Sequence, residues 1–407
     1  MSDSQPVSPA KVRDVRLDFF RGASLLIIYV AHVPGNWLAE IIPARFGFSD
    51  AAHMFVFISG WAAAIAFGGT FLRLGFLAGT ARIAFRCLQL YGAHIGLFVV
   101  GAALCAAFAD SLGGIEYAQH LGLGPFWVDP GSALVSLFAL AYVPPFFDIL
   151  PLYMVVLAMV PAMMALRRLH PAAPIAASIA LWLFVQLTGF ALPSVHADDA
   201  SWGFNPFAWQ LIFFTGYSLS IGWLPRPRLA RPLVWIATVY VAVAAAVMIP
   251  AIHESYMWAG DLRVWVLLHA HKPNLDLRQY LHFLALAIVV LAALEGRRHL
   301  LLQAWAKPFV KVGQQALIVF VSGMALAHLG GMVMATYGTG PLVQLLVNAG
   351  AFATLFAIAY AAAWFKNPPW KRGKAPAPAT IAAAAIPPAA APDAAPAPAR
   401  GIPALLT

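Results

Sequence analysis

The sequence predicts an all-α fold: a polytopic integral membrane helical bundle of about ten transmembrane helices, with both termini in the cytoplasm. Three observations predict it. The 407 residues are 62% hydrophobic and only 10% charged, with a mean hydropathy of +0.79. Apolar runs of about twenty residues, the length that crosses a bilayer, recur along the chain. These runs are continuous rather than alternating, and lipid admits only helices or closed barrels, so helices are the choice.

In order, the spans are read at 17–35, 50–69, 84–108, 147–166, 172–191, 205–224, 231–251, 277–295, 308–329 and 341–364. Residues 132–143 are also apolar, but the run is short and stops at Pro144-Pro145, so an interfacial or re-entrant piece is expected there. Residues 1–15 read as a polar cytoplasmic segment, 16–366 as the ten-span membrane domain, and 367–407 as an Ala/Pro-rich tail expected to be disordered in the cytoplasm.

Charge tests the count. With the N-terminus inside, 21 of the 25 basic residues fall on the cytoplasmic side. Only Arg45, Arg263, Lys272 and Arg278 fall outside, while 11 of the 16 acids do. This is the positive-inside pattern in nearly every loop. The net charge of +9 therefore reports topology and gives no reason to expect nucleic acid as a partner; the lipid bilayer is the expected one. Cys87 and Cys105 lie eighteen residues apart on one expected helix, about 27 Å of rise, so they cannot bridge each other and read as packing residues.

The first span carries ionisable groups. Arg21 and His32 are eleven residues apart, which is three turns plus about 20° and about 16 Å of rise, so they share a face. Asp18 enters the same span and stands i,i+3 from Arg21, within contact on a helix. Such groups are costly in lipid and belong against protein or a wet cavity. The plainer reading is topogenic charge, a helix cap and a structural histidine. The functional reading makes His32 a general base, since neutral imidazole takes a proton from a hydroxyl near neutral pH.

The second span opens Phe48-Ser-Asp-Ala-Ala-His53. Asp50 reads first as a helix cap, and second as a carboxylate able to orient His32 across the short external loop. His53 is a weaker candidate base within that capped turn. Arg82 and Arg86 are four apart at the inner entry of the third span, on one face. With Arg21 they would suit a phosphorylated cytoplasmic ligand, as guanidinium matches phosphate. Asp148 opens Asp-Ile-Leu-Pro-Leu-Tyr153, which reads first as a helix start. The external loop 252–278 is rich in Trp, Tyr, His and charge, either an interfacial aromatic belt with solvated charges or a sugar-binding surface. There is no Walker motif, dinucleotide fingerprint or zinc signature, and no metal site is expected.

These residues resemble a family. Asp18-x-x-Arg21-Gly22 followed by His32 is similar to the Arg-x10-His signature of the membrane-bound acyltransferase family 3. Phe55-Val-Phe-Ile-Ser-Gly60 resembles its phenylalanine-rich Ser-Gly stretch, and Arg82-Ile-Ala-Phe-Arg86 its arginine-rich third-span entry. Within that group Arg16-Leu-Asp-Phe-Phe-Arg-Gly, Gly47-Phe-Ser-Asp50 and Asp148-Ile-Leu-Pro-Leu-Tyr153 look like the OpgC-type proteins. One departure is His53, where an acid is expected in close relatives, which leaves a second-span carboxylate role to Asp50 alone.

The resemblance implies a multi-pass inner-membrane O-acyltransferase, succinylating osmoregulated periplasmic glucans. It implies His32 and Asp50 as catalytic residues, and Arg21, Arg82, Arg86, Asp18, Asp148 and His53 around the substrates. Acyl-CoA, as succinyl-CoA, would be the donor substrate, with no tightly bound cofactor. The rival readings are a glycan or organic-anion transporter or flippase, and a non-catalytic partner of a glucan synthase. A transporter predicts repeat-related halves with broken helices at the midplane. The sequence has no such symmetry, and its candidate polar residues cluster in the first third.

Overall fold

The computed structural model describes residues 14–195, 202–268, 271–366 and 368. Most of the N-terminal segment and nearly all of the C-terminal tail lie outside these residues. The chain divides into two compact units at Trp364, and of the second only Phe365, Lys366 and Pro368 are described.

Among the described residues every regular element is a helix. The main ones are α1 (Val15–Ala31), α2 (Ala51–Leu74), α3 (Phe76–Ala107), α4 (Gly114–His120), α5 (Pro130–Phe138), α6 (Ile149–Leu169), α7 (Ala173–Thr188), α8 (Pro206–Ile221), α9 (Arg231–Met248), α10 (Met257–Leu268), α11 (Leu277–Ala293), α12 (Lys307–Gln314), α13 (Ala316–Tyr337) and α14 (Pro341–Lys366). Six of them, α2, α3, α6, α9, α13 and α14, are long and apolar enough to cross a membrane. Each of the other four expected spans coincides with a shorter helix of 16 or 17 residues: α1, α7, α8 and α11. Two of these, α7 and α11, are apolar by composition. The chain is a multi-pass helical membrane protein.

Local sequence explains the breaks. Asp14, Asn205 and Asp276 cap α1, α8 and α11, each accepting a backbone N–H that the first turn leaves unpaired. The span expected at 308–329 is two helices that meet at Gln315, whose ψ of 33° departs from the helical value. Inside α2, residues Ala64–Gly68 form a π-helical turn. The run at 132–143 is not a span: α5 is nine residues long and ends before Pro144-Pro145.

Helix α1 packs against α2, α12 and α13, and α2 packs against α8. Two reciprocal glycine crossings hold this centre. A Cβ at Gly313 would stand 1.8 Å from the Asp18 carbonyl oxygen, and one at Gly22 would stand 1.9 Å from that of Phe309. At the second crossing, Gly60 meets the Phe213 carbonyl at 1.9 Å and Gly216 meets that of Phe57 at 2.2 Å. Only glycine permits such backbone approach, the usual means by which membrane helices pack tightly.

Candidate active site

His32 caps the C-terminus of α1. Its Nδ1 lies 2.6 Å from the carbonyl oxygen of Ile28, one turn back. A carbonyl can only accept, so Nδ1 carries the hydrogen and Nε2 is left with a lone pair. The side chain is half-buried and lines a cavity of about 970 Å³. Asp50, Asp148, Arg45 and Lys272 share that lining, together with the aromatic rings of Trp127, Phe146 and Phe204. Nitrogen base, carboxylates and apolar rings thus face one chamber large enough for a small-molecule ligand.

Phe146 is set against His32. Its ring meets the His32 ring edge-on at 5.3 Å between centroids. Its backbone sits at φ +72°, a region that non-glycine residues seldom adopt and that concentrates at functional sites.

Asp50 caps α2 through the N–H of Ala52 at 2.9 Å. The same Oδ1 lies 2.9 Å from His53 Nδ1, and Oδ2 pairs with the Lys272 ammonium at 2.6 Å. The helix cap and the place in the cavity lining are therefore one arrangement. The group that orients the His32 ring is the Ile28 carbonyl, whereas Asp50 spends its oxygens on Ala52, His53 and Lys272. His53 is 1% exposed and packed on Trp209 at 4.7 Å, away from the cavity lining. It braces Asp50.

Lys272 comes from the turn before α11 and is half-exposed within the cavity. Its ammonium stands over the Phe204 ring at 5.6 Å. Burial depresses its pKa, but the Asp50 carboxylate outweighs this, with Asp148 adding to it, so the lysine is held above its ordinary value. The turn is fixed from several sides. Trp209 Nε1 donates to the Lys272 and Pro273 carbonyls at 3.2 and 3.1 Å, and the Asn205 N–H donates to Pro273 at 2.9 Å. Trp182 Nε1 donates to the Leu275 carbonyl at 2.9 Å, and Gln186 Nε2 to that of Asn274 at 2.7 Å.

Asp148 precedes α6 without making a side-chain cap bond. It lies against Gly203, where a Cβ would stand 2.6 Å from its Oδ2. Asp148 thus shares one cavity lining with Asp50 and Lys272.

The arginines stand apart from this chamber; none of the three lines it. Arg21 donates to the carbonyls of Gly313 and Ile58 at 3.4 and 3.5 Å, and Asp18 lies 4.0 Å away. Asp18 also accepts from Gln314 Nε2 at 3.4 Å, so it ties α1 to α12 as well as steadying Arg21. Arg82 donates to Thr70 Oγ1 at 2.7 Å and covers the Phe67 ring. Arg86 donates to Gln89 at 3.0 Å. Among the described residues no group of three His, Cys, Asp or Glu is placed to hold a metal ion.

Lys272 is the site residue that sequence reasoning left in the solvated loop 252–278. A signal for it existed. Of the four basic residues left on the far side by the charge pattern, two, Arg45 and Lys272, line the chamber, and Lys272 is the one lysine among them.

Fold and site together define a multi-pass helical membrane protein with a histidine-bearing internal chamber, which fits a membrane acyltransferase. The chain matches the family described as OpgC protein over residues 13–367, and it belongs to that family. No curated protein matches it, and no solved structure does.

Proposed function

We propose that this chain is a bacterial inner-membrane O-acyltransferase, moving a succinyl group from cytoplasmic succinyl-CoA to hydroxyls of a periplasmic glucan. The observation that carries the reading is the His32 ring: Nδ1–H tied to Ile28, Nε2 free for chemistry, in a chamber with Asp50, Asp148 and Lys272. In this reading Nε2 takes the proton of a glucan hydroxyl. The hydroxyl oxygen attacks the thioester carbonyl, the carbon–sulfur bond breaks, and the departing thiolate regains the proton from the imidazolium. Asp50 and Asp148 accept hydrogen bonds from neighbouring sugar hydroxyls, Lys272 donates to the acyl oxygen, and the aromatic rings pack on sugar faces.

The topology belongs to the same proposal: ten spans over 16–366, both termini cytoplasmic, and 367–407 as a cytoplasmic tail. Arg21 enters the membrane about 16 Å before His32 along α1. That separation suits a donor whose phosphates stay with Arg21, Arg82 and Arg86 while its thioester reaches the chamber. Membership of the OpgC family and the chamber's mixture of carboxylates and rings support a glycan acceptor.

The test is mass spectrometry of periplasmic glucans from cells lacking the protein, complemented with wild type or with His32→Ala. Succinyl adducts should vanish in the null, return with wild type and stay absent with well-expressed His32→Ala. Unchanged adducts in the null would remove the glucan assignment.

A further inference from the structure

A second cavity, of about 580 Å³, lies beside the first, and α4 is the wall between them. Ile115 and Gln119, four apart and so on one face of α4, line the first chamber. Glu116, Tyr117 and His120 line the second. At the end of that wall, the His120 ring touches the Phe146 ring at 5.6 Å, and Phe146 in turn touches His32. The second cavity opens where α1, α3 and α13 end, since Pro34, Leu112 and Thr336 all border it.

Its chemistry differs from that of the first. Glu116, His120, Thr336 and Thr339 supply hydrogen-bonding groups at its lining, and no lysine or arginine is present. The Tyr117 side chain is 7% exposed and backs this lining with its hydroxyl packed against Gly331. A lining with a carboxylate and no cation disfavours a polyphosphate donor and suits a neutral, polyhydroxylated chain.

We propose that this second cavity is an acceptor subsite, holding sugar units of an oligosaccharide that runs around the edge of the α4–Phe146 wall to place its reacting hydroxyl at His32. The inference rests on the acyltransferase reading for the identity of its ligand.

The test is calorimetric binding of β-linked gluco-oligosaccharides of two and seven units to the full chain in detergent, with acyl transfer assayed in parallel. Wild type should bind the heptasaccharide at least tenfold more tightly than the disaccharide. Glu116→Gln/His120→Ala, two exposed positions, should compress that ratio below threefold. Thr336→Trp should do the same by filling the cavity. His32→Ala should keep the wild-type ratio.

A wild-type ratio that survives both substitutions, or no length dependence in wild type, overturns the subsite. Length-dependent binding without transfer from any acyl-CoA overturns the proposed function and leaves the subsite standing. Transfer with an unaltered ratio in the variants does the reverse.

Discussion

Lys272 and Asp50 come from opposite halves of the chain and meet at 2.6 Å in the wall of the His32 chamber. Neither residue could do this alone. Asp50 is fixed by its cap bond to Ala52 and by His53, and Lys272 by a turn whose carbonyls are held from α7 and α8.

The pair should therefore be coupled energetically. Removing one partner strands a charge that is only partly solvated, which costs more than removing both. Lys272→Met and Asp50→Asn should each lower the melting temperature of the detergent-solubilised protein more than the double variant does. The interaction energy is expected at about 1 kcal/mol, toward the lower end of coupled pairs, because Lys272 is half-exposed. A double variant equal to the sum of the singles refutes the coupling.

The same pair sets a pH dependence. The folded-state pKa of Lys272 is raised above the ordinary lysine value of 10.5. Its contribution to stability is complete below that value and disappears as pH rises through the raised one. Melting temperature should carry no contribution from this pair's titration between about pH 6 and 9 and fall in the alkaline range. Lys272→Met should remove part of that alkaline loss; an identical alkaline profile in the variant would argue against the ion pair.

His32 should matter to chemistry and little to folding. It is half-buried, and among the described residues its side chain bonds to a carbonyl of its own helix alone. His32→Ala and His32→Gln should both reduce acyl transfer by about a hundredfold or more, the range of general-base contributions. Membrane abundance and melting temperature should stay near wild type. Transfer that persists in either variant would remove His32 from the mechanism.

The loop that follows His32 is held by an amide cluster. Asn36 and Asn348 exchange hydrogen bonds at 2.9 and 3.1 Å, and Gln344 Nε2 donates to the Gly35 carbonyl at 2.7 Å. Asn348→Leu leaves the buried Asn36 amide short of its partner. A loss of about 1–3 kcal/mol is expected. Thermal unfolding should show it as a lower midpoint, and Asn348→Asp should not restore it, because the Asn348 amide nitrogen donates to Asn36 Oδ1 and to the Gln344 carbonyl, where a carboxylate oxygen would only repel.

Gly313 admits no side chain, since a Cβ would overlap the Asp18 carbonyl. Gly313→Val should abolish folded protein, read as lost abundance in membranes and loss of a monodisperse peak in detergent. A well-folded Gly313→Val protein would mean that α1 and α12 can separate without penalty.

Much of this was legible in the chain. Continuous apolar runs located a helix for every expected span, and the Arg21–His32 spacing marked α1 because helical periodicity is local. Asp50 and Asp148 were visible as helix starts, and both reach the chamber. What periodicity does not carry is which distant segments meet. Lys272 sits in a polar loop whose composition resembles any solvated connection; its position follows from bonds made by Trp209 and Trp182, far away in sequence. The orientation of His32 was equally hidden, because a nearby acid is the natural guess and the actual partner belongs to the backbone. The short lengths of α1, α7, α8 and α11 also escaped hydropathy, which registers apolar character beyond the point where a helix has ended.

The Ile28 carbonyl gives the site an unusual genetic signature. In a hydroxyl-activating site of the familiar kind, the residue that aims the histidine is a side chain, and substituting it lowers activity. Here any amino acid other than proline at position 28 supplies the same oxygen at the same place, as long as α1 stays helical. A saturation scan of this protein should therefore find no single side chain whose loss misaims His32, position 28 included. The information that selects its tautomer is written in the helix rather than in any codon.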